Sequence, residues 1–219
     1  HYCGIALFPQ EMIDWKKGRA ECPEIPMPAH RASPACESLS PEGRIVVFSD
    51  GSRISSQYNY IQVAGIGGWW GRGHPNNFGV PLPGKNQGSD RAEVYAVVRI
   101  IETDPRPMVI YCDSKYVVDA LNKMIQEESP QPRAVHYDLW ERIRSEVLMM
   151  RDRVEIRKTK GHATELDVRR GRSSPQEKEG NDEADRLAQD GSLAWSPPRE
   201  LLSKLQHYRK LIENLQRNM

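Results

Sequence analysis

The chain has 219 residues, 38% of them hydrophobic and 28% charged, and a mean hydropathy of −0.69, which suits one globular domain with polar extensions. Lysine and arginine total 31 against 30 aspartates and glutamates, so a polycation that coats nucleic acid is excluded and any grip on a polyanion must come from local patches. No apolar run approaches the ~18 to 20 residues of a membrane span, so no membrane partner is expected. None of Cys3, Cys22, Cys36 and Cys112 forms a C-x-x-C pair, which argues against a zinc knuckle or redox motif and for free thiols in a reducing compartment.

Residues 1–43 carry Pro9, Pro23, Pro26, Pro28, Pro34 and Pro41 among small and polar residues, with no sustained period, and read as an extended arm or linker. The first residue is His1, not Met, so the start of the chain is taken as missing and any targeting signal is unread; an intracellular site is expected, with nucleus and mitochondrion both left open. From Arg44 the pattern changes. RIVVFSD is a β-branched run ending in Asp50-Gly51, and VAGIGGWW follows as an adjacent strand. In SDRAEVYAVVRIIE, the spacing of Ala92, Tyr95, Ala96, Arg99 and Ile100 predicts a helix, with Ser89 as its N-cap and a stop before Pro105.

MVIYCD is a third strand, ending in Asp113-Ser114, and SKYVVDALNKMI begins a helix. After the Pro-broken loop 126–135, YDLWERIRSEVLMM aligns Leu139, Ile143 and Val147 on one helical face. VEIRKTK is a further strand, and GNDEADRLAQDG a helix bounded by glycines. Strands alternating with helices indicate a mixed α/β sheet with helices packed on it. The domain is placed at 44–192. The segment 193–219 has Leu201, Leu205, Tyr208, Ile212, Leu215 and Met219 spaced 4-3-4-3-4, predicting an amphipathic helix that either packs back onto the domain or docks to a protein partner, a ribonucleoprotein or another copy.

Chemistry concentrates in carboxylates. If the strands ending in Asp50 and Asp113 are a parallel pair, both present a carboxylate at one sheet edge, where open α/β sheets bind ligands. Glu93 and Asp185 lie on helices, where each alone reads as a solvated charge. Four clustered carboxylates repel one another and rise in pKa unless cations sit between them, a need that hard divalent ions meet. Two such ions suit phosphodiester chemistry.

FSDGS, AGIGGWWGRGHPNNFGVPLPG, SDRAEVYAV, YCDSKYV, DLWERI, KGHA and GNDEADRLA, in that order across residues 44–192, resemble the type 1 ribonucleases H, and the AGIG-to-PLPG stretch resembles the eukaryotic members. The resemblance implies a mixed five-stranded sheet flanked by helices. It implies a metal-dependent endonuclease that hydrolyses the RNA strand of RNA–DNA hybrids with two Mg²⁺ ions, Mn²⁺ being a substitute. It assigns Asp50, Glu93, Asp113 and Asp185 as metal-binding catalytic carboxylates and His162 as the mobile-loop histidine; Asp182 reads as a first-turn helix charge. Substrate contacts are implied for Gly51, Ser52, Ser89, Asp90, Arg91, Lys115 and Asn181. Two other readings stand beside this one: a ribonuclease H-like structural or interaction module of a larger ribonucleoprotein, and the tethered nuclease of a reverse-transcriptase polyprotein.

The chain departs from the family pattern in three places. Residues 114–137 hold Lys115, Lys123 and Arg133 against Asp119, Glu127 and Glu128, where stand-alone members carry a basic protrusion. His136 stands where the family has Asn, and Ser89-Asp90 replaces the polar pair before Arg91. His162 to Asn181 spans 19 positions, an insertion carrying Arg169, Arg170 and Arg172, read either as a solvated excursion or as a replacement nucleic-acid grip.

Overall fold

A computed structural model describes residues 24, 32–55, 62–127, 135–149 and 152–217. Among the described residues eleven elements follow one another: β1 (Ile45–Ser55), β2 (Gln62–Trp69), β3 (Phe78–Pro81), α1 (Ser89–Thr103), β4 (Met108–Cys112), α2 (Lys115–Glu127), α3 (Tyr137–Met149), β5 (Val154–Lys158), α4 (Glu165–Arg169), α5 (Pro175–Ala194) and α6 (Arg199–Arg217). The chain divides into two compact units. One comprises, among the described residues, 32–55, 62–82, 86–127, 135–149 and 152–194; the other comprises 24, 83–85 and 195–217.

The first unit is built on a sheet of order β3-β2-β1-β4-β5, antiparallel from β3 to β1 and parallel from β1 to β5. Alternation along β1 divides its side chains between two faces. Ile45 and Val47 join the larger core with Ile66, Met108, Ile110 and the apolar side of α1. Val46 and Phe48 face the other way, where Trp69 and Ala184 of α5 meet them. Phe48 stacks on Tyr111 at 5.1 Å and meets Trp69 edge-on at 5.8 Å, so α5 is seated on an aromatic floor whose loss would cost about 3 to 5 kcal/mol. Ala92, Tyr95, Ala96, Arg99 and Ile100 of α1 are all buried, as their spacing predicts.

Several boundaries differ from those read in the sequence. β1 does not stop at Asp50 but runs to Ser55, because β2 pairs with it from Phe48 to Ser55; what ends at Ser49 is the parallel pairing with β4. Ser89 is the first residue of α1 and Gly88 its N-cap. β3 went unseen, since four residues containing Gly and Pro carry no readable alternation; its ladder with β2 holds it in place. Helix α5 begins at Pro175, not at Gly180, which puts Asp185 in mid-helix. The 163–180 insertion is therefore no structureless excursion: it is the short capped helix α4 followed by the first turns of α5.

The segment 32–43, assigned to the arm, is packed against the domain. Glu37 accepts two hydrogen bonds from Arg106, at 3.0 and 3.1 Å, and lies 3.0 Å from His74 Nε2. Arg106 is gripped from its other side by Asp104, which also accepts the Trp70 indole N–H at 3.1 Å. Burial alone would raise the Glu37 pKa, but hydrogen bonds from Arg106, the Ser33 amide and His74 outweigh it and hold the carboxyl at about 2. Residues 1–23 and 25–31 of the expected arm lie outside the described residues.

In the second unit, α6 realises the predicted amphipathic helix. Leu201 and Leu205 are buried, Ile212 is half-buried, and Tyr208, Leu211 and Leu215 are exposed; Met219 lies outside the described residues. No helix among the described residues is long and apolar enough to cross a membrane.

Candidate metal centre

The parallel register that pairs Ser49 with Cys112 brings Asp50 level with Asp113, just beyond the end of β4. Asp50 shares a sheet face with Phe48, while Gly51 points to the opposite face, where α1 crosses. A Cβ at position 51 would overlap the backbone of Ala92 and Glu93; only glycine lets α1 approach closely enough to bring Glu93 beside Asp50. Carboxylate oxygens of Asp50, Glu93 and Asp113 all lie within 4.8 Å of one another.

Burial and mutual repulsion govern this trio. Asp50 is pushed up to about 8, by burial first and then by the charges of Asp113 and Asp185. Glu93 is raised well above the usual range by burial and by Asp50 and Asp113. Asp113 is raised mainly by burial, with Lys158 and His162 pulling the other way. Beneath them Cys112 is raised by burial and by Glu93, so it remains a thiol. A partly buried carboxylate set whose ionisation is disfavoured without counter-charge, offering oxygen donors alone, fits hard divalent cations.

Asp185 adjoins the trio: its charge helps raise Asp50 and Asp113, and it shares a side-chain hydrogen bond with Asp50. It projects from α5, accepts from Gln189 Nε2 at 2.9 Å on both oxygens, and lies 4.0 Å from His162 Nδ1. His162 is 82% exposed and takes a left-handed backbone (φ 49°), a conformation in which histidine is enriched. Its neighbour Gly161 packs directly on the Asp113 carboxylate, so the Lys160-Gly161-His162 loop touches both Asp113 and Asp185.

The remaining candidates are placed unevenly. Gly51 and Ser52 lie on β1, and Ser89 and Asp90 open α1 toward Glu93. Lys115 is exposed and pairs with Asp119. Arg91 is committed elsewhere: its guanidinium forks onto Asp138 at 2.9 and 2.5 Å, tying α1 to α3. Asn181, predicted to touch substrate, is buried at 2% exposure within α5, its amide without a partner among the described residues. His136, replacing Asn, also adopts a left-handed backbone (φ 67°).

Sequence reasoning missed Gln189, Lys158, Gly161 and Asp167. Gln189 was detectable as the residue four positions beyond Asp185 on one helical face. Asp167 could have been found as the fourth member of a T-x-x-D capping pattern from Thr164.

With this geometry in place, comparison with known proteins gives a consistent result. The RNase H family model matches residues 42–193. The chain belongs to the ribonuclease H family, among its type 1, eukaryotic-like members. It is 37% identical over 86 residues to ribonuclease H1 of Homo sapiens, covering 37% of this chain and 29% of that protein. To ribonuclease H of Schizosaccharomyces pombe it is 30% identical over 172 residues, covering 74% of this chain and 56% of that protein. The chain thus spans about half, or less, of the length of these relatives. The solution structure of the PFV RNase H domain aligns with a TM-score of 0.55 at 27% identity, over 68% of this chain and 94% of that domain. A foamy viral protease-reverse transcriptase in complex with RNA/DNA hybrid shares the fold, with a TM-score of 0.52 at 19% identity over 80% of this chain and 23% of that one.

Proposed function

We propose that this chain is a metal-dependent endonuclease that hydrolyses the RNA strand of RNA–DNA hybrids. The observation that carries the reading is the Asp50–Glu93–Asp113 trio, with oxygens within 4.8 Å, in a member of a family that generally uses divalent metal. In this reading those three residues, with Asp185 from α5, hold two Mg²⁺ ions, for which Mn²⁺ can substitute. Bound divalent ions supply positive charge to the attacking and departing oxygens of a phosphodiester.

Hydrolysis breaks the bond between phosphorus and the 3′ oxygen while a water oxygen forms the new bond to phosphorus. The proton released by water must reach the departing oxygen or solvent, leaving 5′-phosphate and 3′-hydroxyl ends. His162, exposed and 4.0 Å from Asp185, is the group suited to carry it. Gly51, Ser52, Ser89, Asp90 and Lys115 are assigned to the minor groove, where 2′-hydroxyls distinguish RNA from DNA; Arg91 acts through Asp138 by fixing α1. A protein or ribonucleoprotein partner at residues 199–219 belongs to the same proposal, supported by the exposed Tyr208, Leu211 and Leu215. An intracellular site is supported by the free thiols of Cys36 and Cys112.

The test is cleavage of a labelled RNA–DNA hybrid beside matched RNA and DNA duplexes, with and without Mg²⁺. Only the RNA strand of the hybrid should be cut, only with metal, and not by Asp50→Asn or Asp113→Asn. His162→Ala should lose about one to three orders of magnitude in rate. Wild-type rates in both Asn variants would overturn the site assignment, and an inert wild type would favour the structural-module reading.

A further inference from the structure

We propose that residues 160–172, and Arg169 and Arg170 in particular, form a grip on the phosphate backbone of the bound duplex; this rests on the hydrolase reading above. The need is electrostatic. A carboxylate-rich site repels a polyanion, and in this chain residues 114–137 supply no net charge, with three basic and three acidic side chains. Residues 151–172, by contrast, hold eight basic against four acidic side chains.

What turns this charge run into a built surface is Asp167, which is buried. Its carboxylate accepts from the Thr164 amide and hydroxyl at 2.9 and 2.7 Å, pairs with Arg172 at 2.7 Å, and reaches Lys160 at 3.4 Å. Those hydrogen bonds, led by the Thr164 amide, hold its pKa far below the usual carboxylate range, so it stays anionic as an organising centre. The Asp167 amide donates in turn to the Thr164 hydroxyl oxygen and completes a capping box. At the far end the Gly171 and Arg172 amides close on the Val168 and Asp167 carbonyls at 3.0 and 2.9 Å. Lys160 and Arg172 are thereby engaged in holding the segment together.

Arg169 and Arg170 are left over. Both are exposed, and neither has a carboxylate partner among the described residues. Elsewhere in the domain Arg72, Arg91, Arg142, Arg153, Arg157 and Arg186 are each tied to an acidic side chain. The nearby Glu165 faces Lys178 at 3.9 Å, so α4 and its C-cap present Leu166, Arg169 and Arg170 together, and the acidic residues of α4 are engaged elsewhere. Position completes the argument: α4 begins three residues after His162, whose loop touches Asp113 and Asp185. A helix of this length rises only ~7.5 Å. Its free cations therefore stand within reach of phosphates a few nucleotides from the one being cut. Exposed guanidinium groups with no internal partner suit sequence-independent phosphate contact.

The experiment compares wild type with the Arg169→Ala plus Arg170→Ala protein, measuring hybrid cleavage and, without metal, hybrid binding by fluorescence anisotropy over a salt series. Expected are an unchanged melting temperature, kcat within about twofold, a raised KM, and a log-affinity against log-salt slope shallower by about 2, one for each lost phosphate contact. Lysine at both positions should restore most of the slope, since the charge is kept. Unchanged KM and slope in the alanine protein would overturn the grip and leave the hydrolase reading intact. A wild type that cuts no hybrid would overturn the hydrolase reading, while the binding series would still judge the arginines.

Discussion

Removing divalent ions leaves the Asp50, Glu93 and Asp113 carboxyls facing one another in a buried site, and the stability of the ion-free protein should fall as pH rises from about 5 to 8. Asp50 moves from 3.8 to about 8 on folding. Between those values the unfolded chain has released its proton and the folded chain still holds it, so folding takes up a proton and each increase in pH disfavours the folded state. The slope is about 1.4 kcal/mol per pH unit for one retained proton, and the full rise of about four units corresponds to about 6 kcal/mol. That is comparable to the entire stability of many domains. Glu93, also raised, acts in the same direction. Glu37, held at about 2, has the opposite sign: its contribution is present above its unfolded pKa and is lost only as pH falls toward 2, outside this window. For a domain of this size the slope is about 3 to 5 °C in Tm per pH unit. Thermal melts in chelator should show it, Mg²⁺ should restore far more Tm at pH 8 than at pH 5, and Asp50→Asn should be flatter and more stable than wild type at pH 8 without metal. An ion-free Tm that is level from pH 5 to 8, or an equal effect of Mg²⁺ at both ends, would refute the reasoning.

Gly51→Ala should lower both stability and turnover, because its Cβ would lie 2.5 Å from the Ala92 carbonyl carbon and 2.8 Å from Glu93 Cα. Overpacking costs about 1 to 3 kcal/mol, and a displaced Glu93 should cut kcat by more than about tenfold; wild-type melting and rate would show that α1 yields without consequence. Glu37→Ala should destabilise the protein by about 1 to 3 kcal/mol by leaving Arg106 and His74 without their shared acceptor, read as a lower midpoint in urea, and an unchanged midpoint would return residues 32–43 to the status of a linker. Ending the chain after residue 206 removes the exposed Tyr208, Leu211 and Leu215 but keeps Leu201 and Leu205. Hybrid cleavage and the main melting transition should be preserved while self-association or partner capture is lost; a lower Tm would assign the distal half of α6 a structural role.

Local patterning made much of this molecule legible. The buried stripe of α1 and the apolar runs of β1, β2, β4 and β5 are visible because helix and strand each repeat their side-chain directions with a fixed short period. The four carboxylates were recognisable as a set from their flanking strings. Where pattern failed, the missing information was non-local. Phe78–Pro81 is a strand because β2 offers it a ladder, and Asp50 lies mid-strand because pairing with β2 outlasts pairing with β4.

The sequence by itself determined the alternation of strands and helices, the identity of the acidic residues and the amphipathic character of α6, since these depend on residue type and spacing alone. Only the tertiary structure decided that Asp50, Glu93 and Asp113 gather within 4.8 Å, with Asp185 set against Asp50 and held by Gln189. Only it showed that Glu37 closes a buried polar network with Arg106 and His74, that Asn181 is enclosed, and that Asp167 leaves Arg169 and Arg170 free by engaging Lys160 and Arg172. The physical reason is common to all four. Charge repulsion, desolvation and ion pairing depend on distances across the fold, and those distances are set by packing between elements far apart in the chain.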